Sequence, residues 1–478
     1  MIGHSLPEYV FIRLCITGLR LIALLSIVYL CASWYLGDWL CSRWLGYYAL
    51  VEAVFYLGVY LPRSHLLQLP AQHPAPLTRA EREALFAKCF VRMRDAELAT
   101  GWFHFAAADA IRRENVLEWL LWALFSSPKD ALLEDWEEEL EGYVKIVERL
   151  LGRTLDEGLN EKISCMKVTM DPVVSLHRPL LWYSIVWIVD LYTAIYLFSY
   201  GFEHKTMWNW YSYFPPRLLS AFSQRSPDPR LSYWYRPHRS TTKYPLLFLH
   251  GVGIGLWPYT PFITELMQND PDVGIIAVEN YPISMRISPP PLSRTEMLEA
   301  LHIVLSTHGF DKYVVCGHSY GTVVAAHMLR DPMTSQHVAG LVLVDPIPFL
   351  LHLPSVAYNF VYRVPRTANE WQLWYFASRD PDIARALSRH FFWAENVLWK
   401  DDLKEQRVGV VLSGKDQIVD AEEVRRYLTE EETPNETWRS ADGRMEVLWY
   451  PHLDHAQVFD HPQHRKPLRD MVERLLVM

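Results

Sequence analysis

Residues 312–321 read Lys-Tyr-Val-Val-Cys-Gly-His-Ser-Tyr-Gly, and this stretch decides the fold. The apolar run through residues 312–316 has the composition of a buried parallel strand, and residues 322–330 read as a helix free of Gly and Pro. Between them Gly317 and Gly321 stand two residues either side of Ser319, with His318 and Tyr320 filling the gaps. Glycines there let the backbone pass from strand to helix in one tight turn, so that the serine hydroxyl is presented at the carboxyl end of the strand. A Gly-x-Ser-x-Gly pentapeptide also arises by chance, and an ordinary strand-to-helix turn around a buried serine is the alternative. The residues further along the chain weigh against it.

A serine hydroxyl is a weak nucleophile until a histidine takes its proton, and that histidine needs a carboxylate to hold its tautomer. Three apolar runs follow the serine, at residues 341–344, 408–412 and 445–450, each leading into a polar loop. The loop after the second, Ser413-Gly414-Lys415-Asp416-Gln417, places Asp416 at a strand's carboxyl end and makes it the expected acid. Asp345, which ends the first run, is the alternative acid. Asp420 reads as the cap of a helix beginning at Ala421. After the third run, Pro451-His452-Leu453-Asp454-His455-Ala456 offers two histidines. His455, followed by a small residue that leaves room beside the nucleophile, is the expected base, and His452 reads as a loop residue. His308, His318 and His327 read as packed or surface residues. Backbone amides must hold the oxyanion. Tyr320 supplies one by position, and the loop His250-Gly251-Val252-Gly253 after the apolar run 245–249 supplies the other, from Val252 with Gly253 close behind. That loop lacks the Gly-Lys-Ser/Thr ending of a phosphate cradle.

These motifs, in this order, resemble the α/β-hydrolase superfamily over residues 240–478. More narrowly, Phe248-Leu249-His250-Gly251-Val252-Gly253-Ile254-Gly255, Ala368-Asn369 and Phe392-Trp393-Ala394-Glu395-Asn396 are similar to membrane-anchored fungal α/β-hydrolase-domain proteins. The resemblance implies a mostly parallel sheet flanked by helices, with a helical cap inserted at about residues 346–403, and a serine hydrolase. It argues against epoxide hydrolases and haloalkane dehalogenases, which carry aspartate where Ser319 stands. The loop departs from the commoner pattern in lacking a proline after His250-Gly251.

The 478 residues are about twice what such a domain needs. Residues 14–37 form an apolar run interrupted by Arg20, and residues 44–61 another interrupted by Glu52. Two such runs argue for a transmembrane hairpin rather than a cleaved signal peptide, giving a membrane anchor over residues 1–65. A helical region is expected over 66–178, with helices at 79–99, 110–124 and 132–151. A third apolar segment, 179–202, carries Asp190 and many aromatics, and reads as interfacial or transmembrane, or as a buried helix of the soluble part. A basic linker is expected over 203–239. Arg63, Arg79, Arg82, Lys88, Arg92 and Arg94 after the second run, and Arg217, Arg225, Arg230, Arg236, Arg239 and Lys243 after the third, favour a cytoplasmic face for the catalytic domain at an intracellular membrane. The Asn435-Glu436-Thr437 sequon bears on the protein only if that domain is lumenal.

A net charge of −9 gives nucleic acid nothing to recognise. The acidic run 134–139 reads as a solvated face. No His or Cys spacing suggests a metal, no cofactor is implied, and six scattered cysteines fit a reducing compartment. Aromatic residues crowd 346–403, which suits an apolar acyl group as well as simple packing of a cap. The expected activity is therefore hydrolysis of carboxylic esters of hydrophobic, lipid-like substrates at a bilayer, through an acyl-enzyme. His455 and Asp460, separated by four residues, are a spacing shared with some lipid acyltransferases, which makes acyl transfer the alternative. A catalytically silent scaffold is the contrasting class, and the chain does not indicate protein partners.

Overall fold

The computed structural model describes residues 2–3, 5–91, 96–128, 134–433 and 435–478. Arg92, Arg94 and the expected helix start at residue 132 lie outside them. Ten strands form one sheet: β1 (Glu203–Thr206), β2 (Gln224–Arg225), β3 (Ser232–Arg236), β4 (Leu246–Leu249), β5 (Ile275–Glu279), β6 (Tyr313–His318), β7 (Val338–Val344), β8 (Val408–Ser413), β9 (Thr437–Arg439) and β10 (Met445–Tyr450). Their order is β2-β1-β3-β5-β4-β6-β7-β8-β10-β9. The six central strands from β5 to β10 run parallel, while β3 and β9 pair antiparallel at the two flanks.

Alternation of side chains divides the apolar core between the two faces of this sheet. Leu247, Val315, Leu343 and Val410 point to one face, where helices Arg294–Thr307 and Tyr320–Arg330 cover them. Phe248, Val314, Val342 and Val411 point to the other, under helices Thr260–Asn269 and Pro462–Leu476. Strands buried on both faces read as unbroken apolar runs, which is why β6, β7, β8 and β10 are visible in the sequence. Residues 203–239 are not a linker. They supply β1, β2 and β3, the outer strands on one flank of the sheet, whose short sequences mix polar residues with buried aromatics and lack the apolar run of a central strand.

Three helices are long and apolar enough to cross a membrane: Leu6–Leu36, Arg43–Leu66 and Leu180–Ser199. The first starts eight residues before the apolar run because Ser5 and Glu8 form a reciprocal capping box. Glu52, the charge inside the second run, is fully buried and accepts the Leu180 amide at 2.9 Å and His177 Nε2 at 2.8 Å. It thereby satisfies an orphan N–H at the start of the third helix. Asp190, the charge inside that third helix, is equally engaged. Arg217 Nε donates to it at 2.8 Å, Arg286 pairs with it at 2.5 Å, and Arg217 also reaches Glu279 on β5 at 2.8 Å. The helix Leu180–Ser199 is thus docked on the sheet by one face, with Ala194 and Leu197 in its core, and presents Leu181, Ile185, Ile188, Tyr192, Ile195 and Phe198 outward.

Between these helices and the sheet lie Arg79–Phe90, Ala96–Gly101, Arg113–Phe125 and Glu137–Leu151, packed around their own apolar cluster. The segment between β7 and β8 folds as a cap of short helices, among them Ala368–Leu373 and Pro381–Arg389. The cap is covered in turn. Ile12 and Ile16 of the first helix pack on Ala368 and Tyr375, and the Arg13 guanidinium lies 3.8 Å over the Trp371 ring.

Candidate active site

Ser319, Asp345, Asp416 and His455 stand after the carboxyl ends of β6, β7, β8 and β10. Ser319 adopts φ 50° and ψ −120°, a conformation that costs a non-glycine residue about 1–3 kcal/mol and persists only where packing enforces it. The enforcement is visible at the flanking glycines. A Cβ on Gly317 would lie 2.8 Å from the Gly321 carbonyl oxygen, and one on Gly321 only 2.1 Å from that of Leu249. Both positions must be glycine for the turn to pack against β4.

The structure brings Asp416 and His455 together: His455 Nδ1 donates to Asp416 Oδ2 at 2.6 Å. The other carboxylate oxygen accepts the Ile418 and Val419 amides at 2.8 and 3.0 Å, which fixes the acid's orientation. Burial alone would lower the His455 pKa, but the Asp416 carboxylate, reinforced by Asp345 and Asp454, raises it to about 9. Asp345 does not bond His455. Its Oδ1 accepts the Ser413 amide at 3.1 Å and its Oδ2 the Ala456 amide at 2.7 Å, so it ties the acid strand to the histidine loop. One oxygen from each aspartate and one nitrogen from His455 lie within 4.8 Å of each other, a set of the kind that could hold a cation. Those atoms already bond one another and backbone amides, and the cluster is self-contained without one.

His318 is buried behind Ser319, where Tyr259 Oη donates to its Nδ1 at 2.8 Å and accepts the Gly251 amide at 3.2 Å. Burial lowers the His318 pKa to about 4, so this histidine is a neutral strut. His250 braces the same loop, its Nε2 accepting the Asn280 amide at 3.0 Å while Nδ1 donates to the Gly251 carbonyl at 2.7 Å. The Gly253 amide is held by Ile283. The Val252 and Tyr320 amides have no acceptor among the described residues, and both residues line the cavity that Ser319 opens into. His452 is exposed, and Asp420 caps the helix Ala421–Thr429 through the Glu423 amide at 3.1 Å.

Two features escape sequence reasoning. Asp454 is the hub of the histidine loop: its Oδ1 accepts the His455 amide at 2.7 Å and the Gln417 amide at 3.0 Å, and its Oδ2 accepts Asn369 Nδ2 from the cap at 2.7 Å. Its position beside His455 was the only available signal. The second is the apolar cavity itself. The cap contributes Phe360, Phe391 and Trp393, as its aromatic content suggests, but Trp102, Trp122, Ala123 and Val168 of the N-terminal helical region also build its wall. Nothing local in those helices marks them as walls of a site more than 150 residues away.

Residues 244–401 match the family model for the alpha/beta hydrolase fold. No curated protein sequence matches the chain. Among solved structures, a membrane phospholipase A described as a bacterial virulence factor aligns at 14% identity and a TM-score of 0.39, covering 62% of this chain and 94% of its own. An esterase from Rhodococcus sp. aligns at 19% identity and 0.37, covering 51% and 96%. An aryl esterase from Burkholderia cenocepacia aligns at 15% and 0.36, covering 52% and 96%.

Proposed function

We propose, taking as premise that the chain belongs to the α/β-hydrolase superfamily, that it is a membrane-anchored serine hydrolase acting on carboxylic esters of hydrophobic substrates. The observation that carries this reading is an elbow serine at the wall of an apolar cavity, with a buried His455–Asp416 pair on the neighbouring loops. Ser319 Oγ attacks the ester carbonyl and His455 Nε2 takes its proton, while Asp416 holds the opposite ring nitrogen and stabilises the imidazolium. The Tyr320 and Val252 amides receive the oxyanion. The alcohol leaves with the proton from His455, and water repeats the sequence on the acyl-enzyme. The outward apolar residues of the three long helices support residence in a bilayer. The docking of Leu180–Ser199 on the sheet supports a helix lying at the membrane surface, with the catalytic domain held against the cytoplasmic leaflet.

Fluorophosphonate labelling of membranes containing the full chain tests the reading. The wild type labels, and Ser319→Ala and His455→Ala do not; Ser319→Ala also lowers kcat on any ester by about 10⁴-fold or more. Labelling without release of acid into water, but with transfer to an added alcohol, assigns acyl transfer instead. A folded wild type that resists labelling returns the domain to a scaffold role.

A further inference from the structure

The Asp416–His455 pair is bracketed by two further carboxylates. Asp345, at the end of β7, accepts the Ser413 amide of the acid strand and the Ala456 amide of the histidine loop. Asp454 makes the same kind of tie on the side of the cap: its Oδ1 accepts the amide of Gln417, which follows Asp416, at 3.0 Å, and that of His455 at 2.7 Å. The two brackets differ in their support. Asp345 is carried by a central strand, whereas Asp454 lies in a loop, and its Oδ2 is held by two side-chain amides, Gln417 Nε2 at 3.1 Å and Asn369 Nδ2 of the cap at 2.7 Å.

Asn369 is itself fixed. It is buried, and the Thr367 hydroxyl donates to its Oδ1 at 2.7 Å, which leaves Nδ2 to face Asp454. Its helix, Ala368–Leu373, is gripped along another stripe by the first long helix: Ile12 and Ile16 pack on Ala368, the Arg13 guanidinium lies over the Trp371 ring, and the Ile2 amide donates to Gln372 Oε1 at 3.1 Å. A buried carboxylate that loses one of its donors turns to find another, and turning Asp454 would loosen its hold on both Gln417 and His455.

We infer that Asn369 is a positioning residue for the hydrolysis proposed above: by fixing the Asp454 carboxylate it holds the acid loop and the histidine loop in the relation that lets Asp416 meet His455 Nδ1. The inference rests on that reading for its kinetic test, while exchange of the two loop amides tests it without any substrate. Asn369 is not among the residues that line the cavity at Ser319. Its loss therefore slows the step that needs an oriented imidazole and leaves binding in the cavity unchanged.

The test follows fluorophosphonate labelling of the full chain in detergent as a function of probe concentration, with melting temperatures recorded to establish folding. Asn369→Ala removes the donor, and the limiting rate falls by about tenfold while the half-saturating concentration stays unchanged. Asn369→Asp sets two carboxylates against each other and falls further. Adding Asp454→Asn to Asn369→Asp puts an amide opposite a carboxylate again and recovers about tenfold over Asn369→Asp alone, which a role in packing would not produce. A limiting rate equal to wild type in folded Asn369→Ala, or no recovery in the exchanged pair, overturns the inference. Should the wild type resist labelling, the hydrolase reading fails separately, and amide hydrogen exchange decides. Faster exchange of the Gln417 and His455 amides in Asn369→Ala, with the central strands unchanged, supports the role; unchanged exchange of both amides overturns it.

Discussion

His455 carries an electrostatic load that bears on how the proposed activity would respond to pH. Three carboxylates raise its pKa to about 9, and a general base works only when unprotonated. If His455 is the proposed base, kcat/KM is expected to rise with pH along a limb displaced well above the ordinary histidine range, toward about 9. Asp416→Asn removes the leading favourable charge, so the limb moves down toward the ordinary histidine value of about 6.5 while the rate drops by about 10⁴-fold. A pH profile of both proteins checks this, and a limb that stays in place in the variant denies Asp416 its role. Ser319 and His455 were legible because catalysis demands a residue type at a turn of stereotyped spacing. The choice of Asp416 over Asp345 was weighted by strand position, and only the contacts separate their roles: one carboxylate faces the imidazole, and the other is occupied by two amides.

At the scale of the element, the charges inside apolar runs change meaning. Glu52 and Asp190 look like interruptions of membrane spans, yet one caps a neighbouring helix and the other anchors its own helix to the sheet. Removing Asp190 leaves the Arg286 guanidinium buried without that partner and weakens the compensation of Arg217. Asp190→Ala is expected to destabilise the chain by about 3–5 kcal/mol, read as a lower melting temperature in detergent. A melting temperature equal to wild type would mean the helix is held by lipid and not by the sheet. The sequence showed the polar residues but not their partners, since Arg217 comes from a segment that reads as a linker. The outer strands β1, β2 and β3 were missed for a related reason: they interleave buried aromatics such as Tyr233 and Trp234 with polar residues and show no unbroken apolar run.

Across the whole molecule, the first long apolar helix, the cap and the loops that carry Asp416 and His455 form one connected structure. The first helix packs on the cap through Ile12 and Ile16, and the cap reaches the histidine loop through Asn369 and Asp454. The outward faces of the three long helices remain apolar, with Trp34, Trp44 and Ile188 among the exposed residues. An apolar surface of that extent marks a membrane or protein contact, and the reading proposed above assigns it to lipid. The chain is expected to stay in the membrane pellet through alkaline carbonate extraction and to leave it in detergent; release by carbonate would show that the helices are buried against protein. By itself the sequence determined the strand, turn and helix around Ser319, the polar loops that carry Asp416 and His455, and the three apolar helices, because each follows from local periodicity or from a motif of fixed spacing. Only the tertiary structure decided that residues 203–239 complete the sheet, that Asp345 ties two loops together, and that tryptophans of the N-terminal region wall the site. Those outcomes depend on which surfaces meet after folding, and local patterns record that a surface is apolar without recording what it faces.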